Sequence, residues 1–390
     1  MRRPLVGLML AGACSVVLTA VAIGARYAVW PVETHDYLDY TRHWYDTIRL
    51  EGFHSFSHRI ADYTPPYLYT LYAISKLFPE LSSLTATKLP GTIGDVLCSG
   101  IAFGFLRRRR PWPLPLAAAF AVLLAPTVIV NSALWGQNDS VYTAALLACL
   151  ALLAAGRPWW AMASYAVALT IKLQSMFLLP LLVGLAVRGV VPWRSFLLIP
   201  ASYGIAILPS WLAGRPLQEL LTIYQGQIEQ LDMLHVGAPN PYALVPPSFY
   251  PKPAFPIGLV VGATAATLIA GAVARSRVSL TPERTLTLGL ATLLLMPFAL
   301  PKMHERYFYA ADVTAIVFAF FFPRRFFVPI LIGFGSFVAY TTYLLPQPIL
   351  PLPIASLVMG IALVVVLKDA WSQLLPDPGS AVPPERTAGG

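Results

Sequence analysis

The sequence predicts an all-α fold: a polytopic helical membrane protein of about twelve spans with a large first extracytoplasmic loop. Three observations lead there. The 390-residue chain is 57% hydrophobic and only 12% charged, where soluble domains carry roughly 25% charged residues. Apolar runs close to the roughly 20-residue length of a membrane span recur from one end to the other, without the short alternating segments of a barrel. The formal charge of +9 is carried by arginines in short clusters between those runs. That distribution marks cytoplasmic loops and argues against nucleic-acid binding.

Each element follows in order. Residues 5–29 form the first span, with Arg2 and Arg3 inside. A signal peptide is the alternative, but the apolar run is long and more spans follow, so this span is read as uncleaved. Residues 30–86 are the first extracytoplasmic loop, the one long polar interruption in the chain. Within it, PPYLYTLYAISKLF (65–78) is apolar but short, and is expected to lie along the outer interface. Span two, 87–106, runs inward to Arg107–Arg110, and span three, 113–131, returns outward. Span four, 139–156, ends at Arg157. Residues 158–187 split into two short helices that turn outside at IKLQ (171–174).

Span seven, 195–213, leads to a second large outer loop, 214–253, opening with an amphipathic helix over 216–234. Spans over 254–274, 285–300, 308–322, 326–345 and 352–367 complete the set. Residues 1–372 are thus one membrane domain. The Pro-, Gly- and Ala-rich segment 373–390 is expected to be a disordered cytoplasmic tail. Both termini then lie inside, and the inner segments hold almost all clustered arginines with Glu283 as their one acid. Crossing the membrane at 65–78 would turn every later arginine cluster outward, against the positive-inside rule. Cys14, Cys98 and Cys149 all sit in apolar segments and read as packing residues.

With this topology the polar motifs fall on one side. Loop one carries Asp36, Asp39, Asp46 and Asp62, four histidines and interleaved aromatics. WGQNDSVY (135–142), IKLQ, GAPNPY (237–242) and PKMHERYFY (301–309) all face the same way. Ionisable groups at membrane depth are costly and usually face a cavity or a partner. Their convergence on one face points to a site there. The candidate binding residues are Trp135, Gln137, Asp139, Lys172, Gln174, Asn240, Lys302, His304, Glu305 and Arg306. Lys and Arg among them suit a phosphate. Alternative readings are a capped helix start for Asn138 or Asp139, an interfacial anchor for 302–309, and a neighbour-bonded buried acid for Asp95. His35, His43, His54 and His58 match no zinc spacing, and no metal or other cofactor is indicated. There is no Walker A motif and no GxSxG elbow.

These pieces, in order, resemble the GT-C superfamily of membrane glycosyltransferases. The resemblance is nearest to bacterial relatives of the eukaryotic enzyme that adds the second mannose of GPI anchors. It is carried by Asp36, Trp44 and Tyr45 of the acidic first loop, DYTPPYLY (62–69), WGQNDSVY, IKLQ, PNPY (239–242) and MHERYFY (303–309). It implies a GT-C-like fold and inverting transfer of a sugar, mannose by the closest likeness, from a polyprenyl-phosphate carrier. The acceptor is a lipid, glycan or protein. Transfer would occur on the extracytoplasmic face, with a loop-one acid, Asp36 or in reserve Asp39, as general base. Membrane lipids are the other partners implied. A lipid or small-solute transporter is the rival class. Inverted repeats would mark one, and none is visible in the sequence.

Overall fold

The computed structural model describes residues 2–229, 233–246 and 254–375. Seventeen α-helices run through these residues, and no strand is present among them beyond isolated bridges at His304. The helices are α1 (Arg2–Val29), α2 (Arg42–Glu51), α3 (Pro65–Leu77), α4 (Ser83–Arg107), α5 (Leu114–Leu124) and α6 (Pro126–Ile129). Then come α7 (Asp139–Ala154), α8 (Pro158–Ile171), α9 (Leu179–Val187), α10 (Leu198–Leu212), α11 (Leu217–Leu221) and α12 (Ile223–Glu229). The last are α13 (Ala254–Arg275), α14 (Pro282–Ala299), α15 (Tyr309–Phe321), α16 (Phe327–Leu344) and α17 (Leu352–Leu374).

A helix occupies every expected span, but the helices are unequal. Six are long and apolar enough to cross a membrane, and a seventh is added if the bent pair 114–124 and 126–134 counts as one. That pair is broken by 48° where Pro126 follows Ala125, because proline disfavours a helical residue before it. Shorter apolar helices stand at Asp139–Ala154, Leu173–Val187 and Tyr309–Phe321. The first, at 16 residues, reaches only about 24 Å at 1.5 Å per residue, less than the roughly 30 Å hydrocarbon core.

The amphipathic helix expected over 216–234 is two short helices, α11 and α12, separated at Thr222. Residues 230–232 and 247–253, within the second loop, lie outside the described residues. The last span is longer than expected: α17 runs to Leu374. The remaining tail, from 376, lies outside the described residues. The 65–78 segment is the 13-residue helix α3, starting on two prolines and packed against α2, α4 and α10.

Packing sets where the polar residues meet. α7 is central, against α4, α8, α14 and α15, and contributes Tyr142, Leu146, Leu150 and Leu153 to the core. Faces turned away from that core are apolar and exposed, as at Ile205, Val260, Leu268, Leu357 and Val364, which is the pattern of lipid contact. α4 approaches 137–141 so closely that a Cβ at Gly91 would meet the Gln137 carbonyl and one at Gly94 would lie 2.8 Å from the Val141 amide. Ser140 seals the contact by donating to the Gly91 carbonyl at 2.6 Å.

α1 is tied in by a buried ion pair. Arg26 Nη2 lies 2.7 Å from Asp95 Oδ2, and Arg26 Nη1 donates to the Leu123 carbonyl at 3.0 Å. Asp95 also accepts from Ser132 at 2.6 Å and Tyr309 at 3.3 Å. The reading of Asp95 as a buried acid bonded to neighbouring helices is therefore what the structure shows. At the opposite end of the bundle, Arg110 meets Glu283 and the Phe321 carbonyl, and Arg325 grips Asp369 at 2.6 Å.

Candidate active site

Asp36 stands where α1 has ended and a short π-helical turn, Tyr37–Thr41, begins. Its carboxylate does not cap that turn. Oδ2 accepts from Trp135 Nε1 at 2.9 Å and from the Gln137 side-chain amide. Oδ1 accepts from the Tyr343 hydroxyl of α16. Three donors from two distant segments thus fix one carboxylate. Each carboxylate oxygen offers two lone pairs. Oδ2 is filled, and Oδ1 keeps one site for a further hydrogen.

The WGQND turn explains how two of those donors arrive together. The helical segment ends in a π-turn over Val130–Leu134, and Gly136 then adopts φ +80°. That left-handed conformation is easy only for glycine. It reverses the chain between Trp135 and Gln137, so both side chains return to Asp36. The Trp135 ring stacks on Tyr343 with centroids 5.1 Å apart, and the Arg306 guanidinium lies 5.5 Å from its centroid.

Beneath this layer is a buried charge cluster. Asp139 is the first residue of α7, and Asn138 before it makes no side-chain capping bond. Asp139 instead pairs with Lys172 at 2.5 Å, accepts from Asn131 at 2.9 Å and lies 3.8 Å from Arg306 Nε. Lys172 caps the end of α8, and its ammonium sits 5.2 Å from the Tyr63 ring centroid. Tyr63 in turn donates to Gln137 at 3.4 Å, and Thr64 donates to the Ile171 carbonyl at 2.9 Å. Loop one is therefore clamped onto the IKLQ turn.

The 301–309 segment forms the other wall. Residues 234–237 run beside it through Lys302 N to Leu234 O at 2.8 Å, Val236 N to Met303 O at 2.9 Å and Glu305 N to Val236 O at 3.0 Å. Lys302 takes φ +59°, a strained conformation for a side-chain-bearing residue. Glu305 is 2% exposed, pairs with Arg306 Nη1 at 2.8 Å and has His304 Nδ1 at 3.7 Å. Burial pushes the Glu305 carboxyl up, but His304 and the Arg306 charge outweigh it and leave it below the ordinary carboxylate range. The Tyr307 ring lies between Phe177 and His304, and Tyr309 is fully buried on Asp95. These inward contacts do not fit an interfacial anchor.

Of the expected residues, Asp36, Trp135, Gln137, Asp139, Lys172, Glu305 and Arg306 form one connected cluster, with His304 beside it. Gln174 and Lys302 line an adjacent apolar groove with Met176, Phe177, Leu259 and Leu300. The Gln174 Oε1 is buried without a hydrogen-bond partner, and the Lys302 ammonium lies 4.5 Å from the Phe255 ring centroid. Asn240 is set apart. Its amide donates to the Pro297 and Leu300 carbonyls at 3.2 and 3.3 Å, its Oδ1 caps Tyr242, and its carbonyl takes the Ser356 hydroxyl. It docks the second loop on α14 and α17. Asp39 is exposed, while Asp46 and Asp62 pair with Arg42 and Arg59. Among the described residues no group of three His, Cys, Asp or Glu is disposed to hold a metal ion. Sequence reasoning missed Tyr343, Tyr63 and Asn131. Tyr63 had a signal in DYTPPYLY; the other two sit in apolar helical runs with none.

No protein-family model matches this chain, and no curated protein matches it. Among solved structures, the crystal structure of ArnT from Cupriavidus metallidurans bound to undecaprenyl phosphate superposes with a TM-score of 0.54. The match covers 92% of this chain and 76% of that one at 14% identity. The fold is ArnT-like. The all-helical membrane architecture expected from the sequence is thus shared with a solved protein, at a sequence identity of only 14%.

Proposed function

We propose that this chain is an integral membrane glycosyltransferase that moves a sugar from a polyprenyl-phosphate carrier to a hydroxyl acceptor. The observation that carries this reading is Asp36 itself: a carboxylate oriented by Trp135, Gln137 and Tyr343, with one acceptor site left on Oδ1. The ArnT likeness supports the carrier class, since ArnT was solved with undecaprenyl phosphate bound.

In this mechanism the polyprenyl chain lies along the groove of Met176, Phe177, Leu259 and Leu300. The phosphate comes to Lys302 and Arg306, because a desolvated anion needs fixed positive charge. His304 and Glu305 hold Arg306 in place, and the Lys172–Asp139 pair fixes the opposite wall. The acceptor O–H gives its proton to Asp36 Oδ1 as its oxygen bonds the anomeric carbon. The bond from that carbon to the phosphate oxygen breaks on the far face, and the polyprenyl phosphate leaves with the electron pair. Displacement from the far face inverts the anomeric centre. Mannose is the sugar favoured by the sequence resemblance. Positive-inside sorting puts this end of the bundle on the extracytoplasmic face, with both termini in the cytoplasm.

The decisive test is transfer from radiolabelled mannosyl polyprenyl phosphate by the purified chain and its Asp36→Asn variant. Asp36→Asn keeps size but cannot take the proton. It should retain carrier binding and lose most transfer, on the order of 10²–10⁴-fold. Full transfer by Asp36→Asn beside an inactive Asp39→Asn would move the base to Asp39.

A further inference from the structure

A second cavity opens at the same end of the bundle and shares α12 with the apolar groove. It lies between residues 57–62 of loop one and α11–α12, and has a volume of about 650 Å³. Small-molecule sites span roughly 300–1,000 Å³. Its wall is polar, and its most telling member is Arg215. That side chain is only 3% exposed, yet its single side-chain hydrogen bond among the described residues is a long one, Nε to Glu219 at 3.4 Å. A guanidinium carries five donors, and no Arg215 nitrogen is both desolvated and unpaired, so those not taken by Glu219 reach the cavity that Arg215 lines. The remaining donors of Arg215 are engaged by no described residue.

We propose that this cavity binds the acceptor, and that the acceptor presents a neutral saccharide there. The charge pattern selects the class. Arg215 is matched by Glu219 and Arg59 by Asp62, so the wall offers donors and acceptors side by side with no excess of positive charge. A phosphate or carboxylate would face two acidic groups. Neighbouring sugar hydroxyls can accept from a guanidinium and donate to a carboxylate at once, and Gln218 and Thr222 add further partners. The cavity wall is also linked to the reacting group through two residues. Asp62 lines the cavity, and the next residue, Tyr63, bonds Gln137, which holds Asp36. Gln227 of α12 donates to the Asp62 carbonyl, and it also lines the apolar groove. One short helix thus lines both the proposed carrier groove and the saccharide cavity. The assignment rests on glycosyl transfer as the reaction.

Gly226 provides the test. It lines the cavity, and a Cβ at this position would meet nothing within 4 Å, so the side chain of Gly226→Trp starts into open space. Binding of methyl α-mannoside, methyl α-glucoside and methyl α-galactoside to the full chain in detergent is followed by saturation-transfer NMR. Undecaprenyl phosphate binding is followed separately by thermal shift. The expected result is that at least one glycoside binds the wild type. Gly226→Trp should lose that signal at least fivefold and Glu219→Gln should weaken it, while both variants keep the undecaprenyl phosphate shift. Glycoside binding that is absent from the wild type, or unchanged in Gly226→Trp, overturns the proposal. So does capture of inorganic phosphate in place of glycosides. A wild type that binds glycosides in this cavity but not undecaprenyl phosphate upholds the cavity and removes the proposed carrier instead.

Discussion

Trp135 makes two separable contributions to Asp36: an indole N–H that bonds the carboxylate, and a ring that stacks on Tyr343 and faces Arg306. Trp135→Phe removes the first and keeps most of the second. A hydrogen bond to a charged group is worth about 1.5–3 kcal/mol, so transfer should fall by about tenfold to hundredfold if orientation of Asp36 matters; unchanged turnover would show that it does not. Glu305 allows a pH test. Its folded pKa lies below its ordinary value, so its contribution to stability is complete above the unfolded carboxylate pKa. That contribution fades as pH falls through the lowered folded value. Melting of wild type and Glu305→Gln in detergent should therefore differ at neutral pH and converge in acid. Parallel curves across that range would contradict the assignment. Much of this site is legible in the sequence because charge at membrane depth is conspicuous: Asp36, WGQND, Lys172 and HER stand out against apolar surroundings. Their roles are less legible. Lys172 reads as a phosphate ligand until Asp139 is found 2.5 Å away, and Asn240 reads as a contact residue until its amide is found on the end of α14. Partner choice across the fold is tertiary information.

The Arg26–Asp95 pair decides how α1 joins the bundle. Removing one member of a buried pair strands the other charge and typically costs about 3–5 kcal/mol, whereas replacing both with apolar residues can be nearly neutral. Arg26→Met should therefore lower thermal stability well below the wild type, and Arg26→Met with Asp95→Leu should recover much of the loss. A single variant as stable as wild type by fluorescence-detected size exclusion would assign the pair no role in holding α1. Helix positions were readable from apolar run length and from the arginines that end the runs. The break at Pro126 was visible as a proline but not as a 48° bend, because a bend depends on what the two halves pack against. The split of α11 from α12 has no proline or glycine at Thr222 to announce it.

Sidedness belongs to the whole molecule. The proposed orientation puts Leu50, 86% exposed, outside and the exposed Ser279 inside. With single cysteines in a background lacking Cys14, Cys98 and Cys149, an impermeant thiol reagent on intact cells should label position 50 and spare 279. The reverse pattern would invert every assignment of face. The link from Tyr343 to Asp36, joining residues 307 apart in sequence, also reaches back to how the protein is made. Asp36 leaves the ribosome just after α1, but the hydroxyl that completes its setting arrives only with α16. A nascent chain halted after α15 carries the proposed base, the WGQND turn and the 301–309 wall, yet lacks Tyr343. The growing chain is thus expected to pass through the translocation machinery with the Asp36 carboxylate already in place and its setting incomplete until α16 is made.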